Sequence, residues 1–505
     1  MEKLLNNISN EVTPHVVIFP LPIQGPVNCM LKLAELILSL SRGTISVTFI
    51  NSEFIQHLLD LHSPAPARLS RFGPSFGFET VSDGLGPYEN PRGGQQLANI
   101  TNYLGDQAQA TVSRLRELLV YGSAGPRRKP VTCIIADGFF WFMPDVAKEI
   151  GVPLVYFETV SPCGLWTYLC LPKMLQAGDL PFPGDDLDAL VTSVPGMETY
   201  LRRRDLASFC RDYDPNDQVI QLFLKEAQYY SSAQGHILNT FDDLEGELLS
   251  HMRPFSPNMY TVGPLHLNLM TRLEQKQSDN VDSPLSFSNN IWQEDRSCLT
   301  WLDAQPSKSV LFVSIGSLAF MTKDQLVEFW HGLVNSGMRF LWVRRPNSVI
   351  DIVDEDQLDI SDEVLAGTKE RALIVSWVPQ EAVLKHRAIG GFLTHSGWNS
   401  TLESIVEGVP MICWPFFVDQ QVNSRLVSEV WKMGLDMKDN CNRVVIETMV
   451  KDLMGARKEE FLKKVDCMAK LAAQAVGPGG SSYNQLNRLI DDIKFKRLAI
   501  PSNAH

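Results

Sequence analysis

Apolar and polar positions come in blocks along this chain, and the period within the blocks changes. Residues 15–21 are an unbroken apolar, β-branched run, the pattern of a parallel strand buried on both faces. Gly25-Pro26 then opens a stretch in which Val27, Met30, Leu31, Ala34, Ile37 and Leu38 recur at helical spacing. Residues 45–50 predict a second strand, 131–136 another that ends in Asp137, and 152–157 a further one after a helix around 145–150. Alternating strands and helices predict a doubly wound α/β sheet. Such sheets bind ligands beyond the carboxyl ends of their strands. Gly25-Pro26 and Asp137 both fall at such ends.

The pattern lapses over 266–296, which is rich in Ser, Asn, Asp and Gln and reads as a linker between domains. It restarts near Cys298, with strands expected at 310–314, 340–343, 373–377, 391–394 and 410–413. This is a second Rossmann-like domain, set at 297–480, after a first at 15–265. Residues 1–14 read as a polar, disordered N-terminus. Gly479-Gly480-Ser481-Ser482 leads into a closing segment, 481–505, with an amphipathic helix to about Ile493.

Composition narrows the function classes. The 505 residues are 44% hydrophobic and 20% charged, as in an ordinary globular protein of two domains. A net charge of −13 argues against a nucleic-acid partner or an anionic membrane surface. No apolar run has the length of a membrane span, and residues 1–14 do not form a signal peptide, so no stable membrane insertion is expected. Nine cysteines without metal-ligand spacing read as reduced thiols of a cytoplasmic protein, with no metal and no cofactor. A monomer is expected.

The densest chemistry lies between Trp377 and Gln420. An apolar strand runs into His395-Ser396-Gly397-Trp398-Asn399-Ser400, which opens a helix. A helix start offers unpaired N–H groups and partial positive charge, and so favours a phosphate. Gly397 permits close backbone approach, and His395, Asn399 and Ser400 add side-chain donors. A later strand ends in a loop with Asp419-Gln420, a carboxylate beside a carboxamide that suits the adjacent hydroxyls of a hexose. Taken singly, HSGWNS fits any strand-to-helix turn, Trp377 and Trp414 fit core packing, and His386 ends a short helix. The joint spacing carries the reading.

This segment resembles, over its whole length, the signature box of plant family 1 glycosyltransferases, which use UDP-sugars to decorate small molecules. The resemblance extends from residue 15 onward and implies the GT-B fold, two Rossmann-like doubly wound domains facing a cleft. It implies that Trp377 stacks on uracil, that Val378 offers its backbone to the base, and that Glu403 holds the ribose. It implies that His395, Asn399 and Ser400 bind the diphosphate, and that Trp398, Asp419 and Gln420 bind the sugar. Gln380 and Gly397 belong to the same donor set. Ser317, at another strand end, is either a phosphate contact or a simple helix cap. The closing Gln420 resembles the glucose users, so UDP-glucose is the implied co-substrate and a small-molecule acceptor the other partner, with inversion at the anomeric carbon.

One position departs from the family. Its first motif carries a His that removes the acceptor proton, whereas this chain reads Gln24-Gly25-Pro26-Val27-Asn28-Cys29. Proline takes no proton, yet it fits the first turn of a helix. The fold should therefore survive where the usual mechanism does not. The family's second catalytic residue maps to Asp137, which is either a helix-capping carboxylate or a candidate base. A positioned base contributes about 10²- to 10⁴-fold. Three routes remain: an acceptor already ionised, Asp137 acting directly or through a water, or a group borrowed from elsewhere. Asp137 assisting a hydroxyl or carboxyl acceptor is the favoured one. Phe139, Phe140, Trp141, Trp166 and Phe182 are candidate acceptor walls, as is the loop 82–87. The first motif resembles terpenoid and iridoid glucosyltransferases. The competing reading is a UDP-sugar-binding sensor or scaffold without catalysis, and it rests on Pro26 alone.

Overall fold

The computed structural model describes residues 13–82, 108–121, 130–256, 258–274, 288–346, 348, 349, 368 and 371–498. Two parallel sheets organise them. In the first, β1 (His15–Phe19), β2 (Ser46–Ser52), β3 (Phe76–Val81), β4 (Cys133–Asp137), β5 (Leu154–Glu158), β6 (Gly235–Leu238) and β7 (Met259–Thr261) lie in the order β3-β2-β1-β4-β5-β6-β7. The second holds β8 (Val310–Ser314), β9 (Arg339–Val343), β10 (Ala372–Val375), β11 (Ile389–Thr394), β12 (Met411–Cys413) and β13 (Gly434–Asp436), in the order β10-β9-β8-β11-β12-β13. Every pairing is parallel, as when each strand is followed by a crossover helix. In both sheets the strand order reverses beside the central strands, and ligands collect at that switch point.

The periodic runs of the sequence became these elements, with shifted ends. The run at 373–377 stops pairing at Val375, so Trp377 lies on the loop beyond the strand. Strands β3, β6, β7 and β13 gave no distinct signal; three of them have four residues or fewer. The polar stretch at 266–296 is not all loop, because Leu265–Glu274 is a helix that buries Leu265, Leu269 and Leu273. Residues 1–12, 83–87, 275–287 and 499–505, on which parts of the readings above fell, lie outside the described residues.

The helix Gln24–Ser41 is more deeply set than its apolar stripe suggests. Val27, Met30, Leu31, Ala34 and Ile37 are fully buried, and Lys32 and Glu35 on its polar side are buried too. Lys32 pairs with Glu381 of the second domain, and Glu35 with Arg68 and Arg71. Burying these charges is tolerable because each has a partner.

The closing helix Ser481–Lys494 packs on the edge of the first sheet. It buries Leu486, Leu489, Ile490 and Ile493, its Asp492 accepts from Tyr260 Oη at 2.8 Å, and Ser482 Oγ donates to the Gly263 carbonyl. Because Ser482 is fully buried, Ser482→Ala should cost about 1–3 kcal/mol, the penalty of leaving a buried carbonyl without its donor. Chemical denaturation at constant m-value would measure it.

Candidate active site

A cleft of about 1220 Å³ opens between the carboxyl ends of the two sheets, with walls from both domains. A single drug-sized ligand needs roughly 300–1,000 Å³, so this cleft has room for two molecules side by side.

The second domain builds a cradle whose chemistry suits a phosphate. Strand β11 ends at Thr394, Ser396 takes a left-handed φ of 63°, and Gly397 caps the helix Trp398–Val406. The first N–H groups of that helix, from Trp398 to Ser400, have no intrahelical acceptor and face a partial positive end. Beside them the His395 ring is wedged between two glycines. A Cβ on Gly316 or Gly397 would sit 2.5 or 2.4 Å from its Nε2. His395 Nδ1 is buried without a partner among the described residues. Burial first, and Arg345 next, push its pKa down to about 4, so the imidazole is neutral. Ser317 follows Gly316 on the cleft wall.

Next to the cradle, Trp377 and Val378 line the cleft. The Trp377 carbonyl accepts from Asp295 N–H at 2.9 Å, and its Nε1 has no partner among the described residues. Gln380 Nε2 donates to Ser400 Oγ at 2.9 Å and to Glu403 Oε2 at 2.7 Å, which fixes both acceptors. Burial, then Glu381, raise the Glu403 pKa to about 7. Glu381 and Lys32 act on this carboxylate, and His266 acts on Glu381 in turn; none of the three stands out as a site residue in the sequence. They lie far from the box in sequence or look like ordinary helix polars.

At the far end, Asp419 Oδ2 accepts from Ser161 N–H and Asn423 Nδ2, both at 2.9 Å. Gln420 Oε1 accepts from Phe416 and Phe417 N–H at 2.9 and 3.2 Å. Both residues line the cleft. Trp398 and Asn399 also line the cleft and, like Asp419, reach the first domain. Trp398 Nε1 donates to the Asn239 carbonyl at 2.8 Å, and Asn399 Nδ2 to the Gly25 carbonyl at 3.1 Å. The first bond ties the donor box to the segment after β6, and the second ties it to the first turn of the helix that carries Pro26.

Pro26 lies in the first turn of the helix Gln24–Ser41 and on the cleft wall. Asp137 is fully buried and does not line the cleft. Its Oδ1 accepts from Phe139 N–H at 3.1 Å, and its Oδ2 from Thr159 Oγ1 at 3.0 Å and Leu21 N–H at 3.4 Å. Burial pushes its pKa up to about 7 against the pull of those three donors.

Of the five aromatics expected on the acceptor side, the cleft takes one, Phe139. Phe140 turns the other way after β4 and stacks on Phe19 in the core, centroids 4.5 Å apart. Trp141 lies under Lys225 Nζ, and Trp166 donates to the Pro195 carbonyl and stacks on His251. Phe182 carries the Arg203 guanidinium. None of these four lines the cleft. Their places are taken by Phe209, Leu222 and Phe223, with Phe209 and Phe223 stacked at 4.6 Å. The periodicity of 218–229 identifies a helix there, but only packing turns Phe223 toward the cleft.

Two doubly wound domains that share one cleft, with the helix start, His395 and Asp419-Gln420 on its second-domain wall, have the arrangement of a nucleotide-sugar transferase of the GT-B class. A family model described as "UDP-glucoronosyl and UDP-glucosyl transferase" matches residues 286–464. A 7-deoxyloganetic acid glucosyltransferase of Catharanthus roseus is 52% identical over 96% of this chain and 98% of that protein. A 7-deoxyloganetin glucosyltransferase of Gardenia jasminoides is 38% identical over 97% of this chain and 100% of that protein. The crystal structure of Os79 from O. sativa in complex with UDP superposes with a TM-score of 0.76 at 27% identity, covering 95% of this chain and 100% of that one. This chain belongs to the plant UDP-dependent glycosyltransferase family. Among the described residues no helix is long and apolar enough to cross a membrane, and no cluster of three or more side chains could hold a metal ion.

Proposed function

We propose that this enzyme transfers glucose from UDP-glucose to a hydroxyl of a small, lipophilic, ring-shaped plant metabolite of the iridoid class. Inversion at the anomeric carbon turns the α-linked donor into a β-glucoside. The observation that carries the reading is the two-sided cleft, with the donor box on one wall and Phe139, Phe209 and Phe223 on the other. The box residues act on the donor: Trp377 on the uracil, Glu403 on the ribose, His395 and the helix start on the diphosphate, Asp419 and Gln420 on the glucose. The apolar wall suits an iridoid skeleton, and the relatives named for 7-deoxyloganetic acid and 7-deoxyloganetin support that class. Asp137 is the base, one layer behind the wall. The enzyme works as a cytoplasmic monomer.

The test is UDP release from UDP-glucose with 7-deoxyloganetic acid, 7-deoxyloganetin, simple phenols and carboxylic acids as acceptors. Turnover on the iridoid hydroxyls is the expected result, and turnover confined to acids would replace Asp137 with a pre-ionised nucleophile. Pro26 favours a second reading, a UDP-sugar-binding protein without catalysis. A silent wild type beside an active Pro26→His would support it. Trp377→Ala should raise KM for UDP-glucose roughly tenfold or more, since a base–aromatic stack is worth about 1–3 kcal/mol. Its kcat should change little, because the stack is the same in ground and transition states.

A further inference from the structure

Pro26 leaves the cleft wall without a proton acceptor where the family has one, while the carboxylate that would replace it cannot touch the substrate. Asp137 is fully buried, and its hydrogen-bond donors, Leu21 N–H, Phe139 N–H and Thr159 Oγ1, all belong to residues that line the cleft. Two of the three are backbone amides, which do not give up and regain a proton at neutral pH. The third is a hydroxyl, able to accept one proton and release another in the same step.

We propose that Thr159 is a catalytic residue that relays the acceptor's proton to Asp137. The acceptor oxygen forms its bond to the anomeric carbon as the bond from that carbon to the diphosphate oxygen breaks, and the bonding pair leaves with UDP. The acceptor proton passes to Thr159 Oγ1, and the proton already on Thr159 passes to Asp137 Oδ2. Thr159 ends neutral and Asp137 protonated, so no further reactant is needed. This rests on the reading of the chain as an active glucosyltransferase.

The surroundings suit the role. Among the described residues, Asp137 acts on Cys29 from the helix Gln24–Ser41, Glu158 of β5 and Glu226 of the helix Gln218–Tyr229, none of them a cation. The buried carboxyl is pushed up to about 7, close to the working pH favoured for a general base. Other titratable groups on the first-domain wall fit less well. Asp212 and Asp217 are exposed at the mouth, with Asp217 capping the helix Gln218–Tyr229. His266 sits with Lys32 and Glu381 on the ribose side, and burial holds its pKa near 4.

The test compares wild type, Thr159→Val and Thr159→Ser on two acceptors, a neutral iridoid alcohol (7-deoxyloganetin) and 4-nitrophenol, which is largely ionised at pH 8. Affinity for UDP is measured by calorimetry in each protein. Thr159→Val should lower kcat on the alcohol by about 10²-fold or more, lower it far less on 4-nitrophenol, and leave UDP affinity within about twofold. Thr159→Ser should recover most of the loss. Wild-type turnover of the alcohol by Thr159→Val would overturn the relay, and so would an equal loss on both acceptors, which is the mark of a packing defect. A wild type that binds UDP but transfers to neither acceptor would overturn the transferase reading itself.

Discussion

Asp137→Ala should lower kcat on hydroxyl acceptors by about 10²- to 10⁴-fold, the usual contribution of a positioned base, and leave UDP affinity unchanged. The variant removes a side chain that is fully buried and makes no contact with the donor wall. The expected loss therefore falls on kcat, and a wild-type kcat would eliminate Asp137 as the base. Its pH dependence has a defined sign. Asp137 takes up a proton only when ionised, and burial raises its pKa from 3.8 to about 7. Turnover should climb as pH rises through about 7 and level off above it, and this limb should vanish in Asp137→Ala.

Stability runs the opposite way. Because the folded pKa exceeds the unfolded one, the contribution of this carboxyl is fully present below the unfolded value of 3.8 and is lost as pH rises through about 7. Linkage caps that loss at about 4 kcal/mol for a shift of about three pH units. The working enzyme thus keeps a buried charge that costs stability in the range where it is active. Thermal melts of wild type and Asp137→Ala between pH 4 and 8 should converge as pH rises.

Gly316→Ala should cut kcat/KM for UDP-glucose by about 10²-fold, as when one donor to a developing diphosphate charge is lost. Gly316 has a φ of +76°, where a side chain costs about 1–2 kcal/mol, and its new Cβ would lie 2.5 Å from His395 Nε2. Gly397 lies as close to the ring, since a Cβ added there would stand 2.4 Å from the same nitrogen, so the imidazole keeps its place only while both positions lack a side chain. The ring must swing out of the cradle. Adding His395→Ala to Gly316→Ala should then cost little more, and a double-mutant cycle reads that directly. Independent, additive losses would mean that Gly316 acts through the backbone of Ser317 instead.

Much of this site was legible in the linear order of residues, and the part that was not is the part made by packing between residues far apart in sequence. Donor candidates cluster from Trp377 to Gln420 because a helix start and the loop after a strand are local structures; their N–H groups are placed by residues nearby in sequence, although Trp398, Asn399 and Asp419 also bond the first domain. The long buried strands were visible for the same reason. Strands β6, β7 and β13 were not: three or four residues carry no period, and unlike β10 and β12, equally short, they lie in no apolar run that marks them.

Tertiary structure decided the acceptor side. Phe139 and Phe140 are adjacent and chemically alike, yet the turn after β4 sends one to the cleft and the other against Phe19. Thr159 is an unremarkable residue in sequence until β5 is set beside β4 and brings its hydroxyl onto Asp137. Lys32 and Glu381 are 349 positions apart and meet only when the domains close on each other. The sequence by itself determined that this chain has two α/β domains, a UDP-sugar box and no histidine at position 26. That Asp137 stands behind the cleft wall and not on it, and which hydroxyl connects the two, depended on long-range burial, which no local pattern encodes.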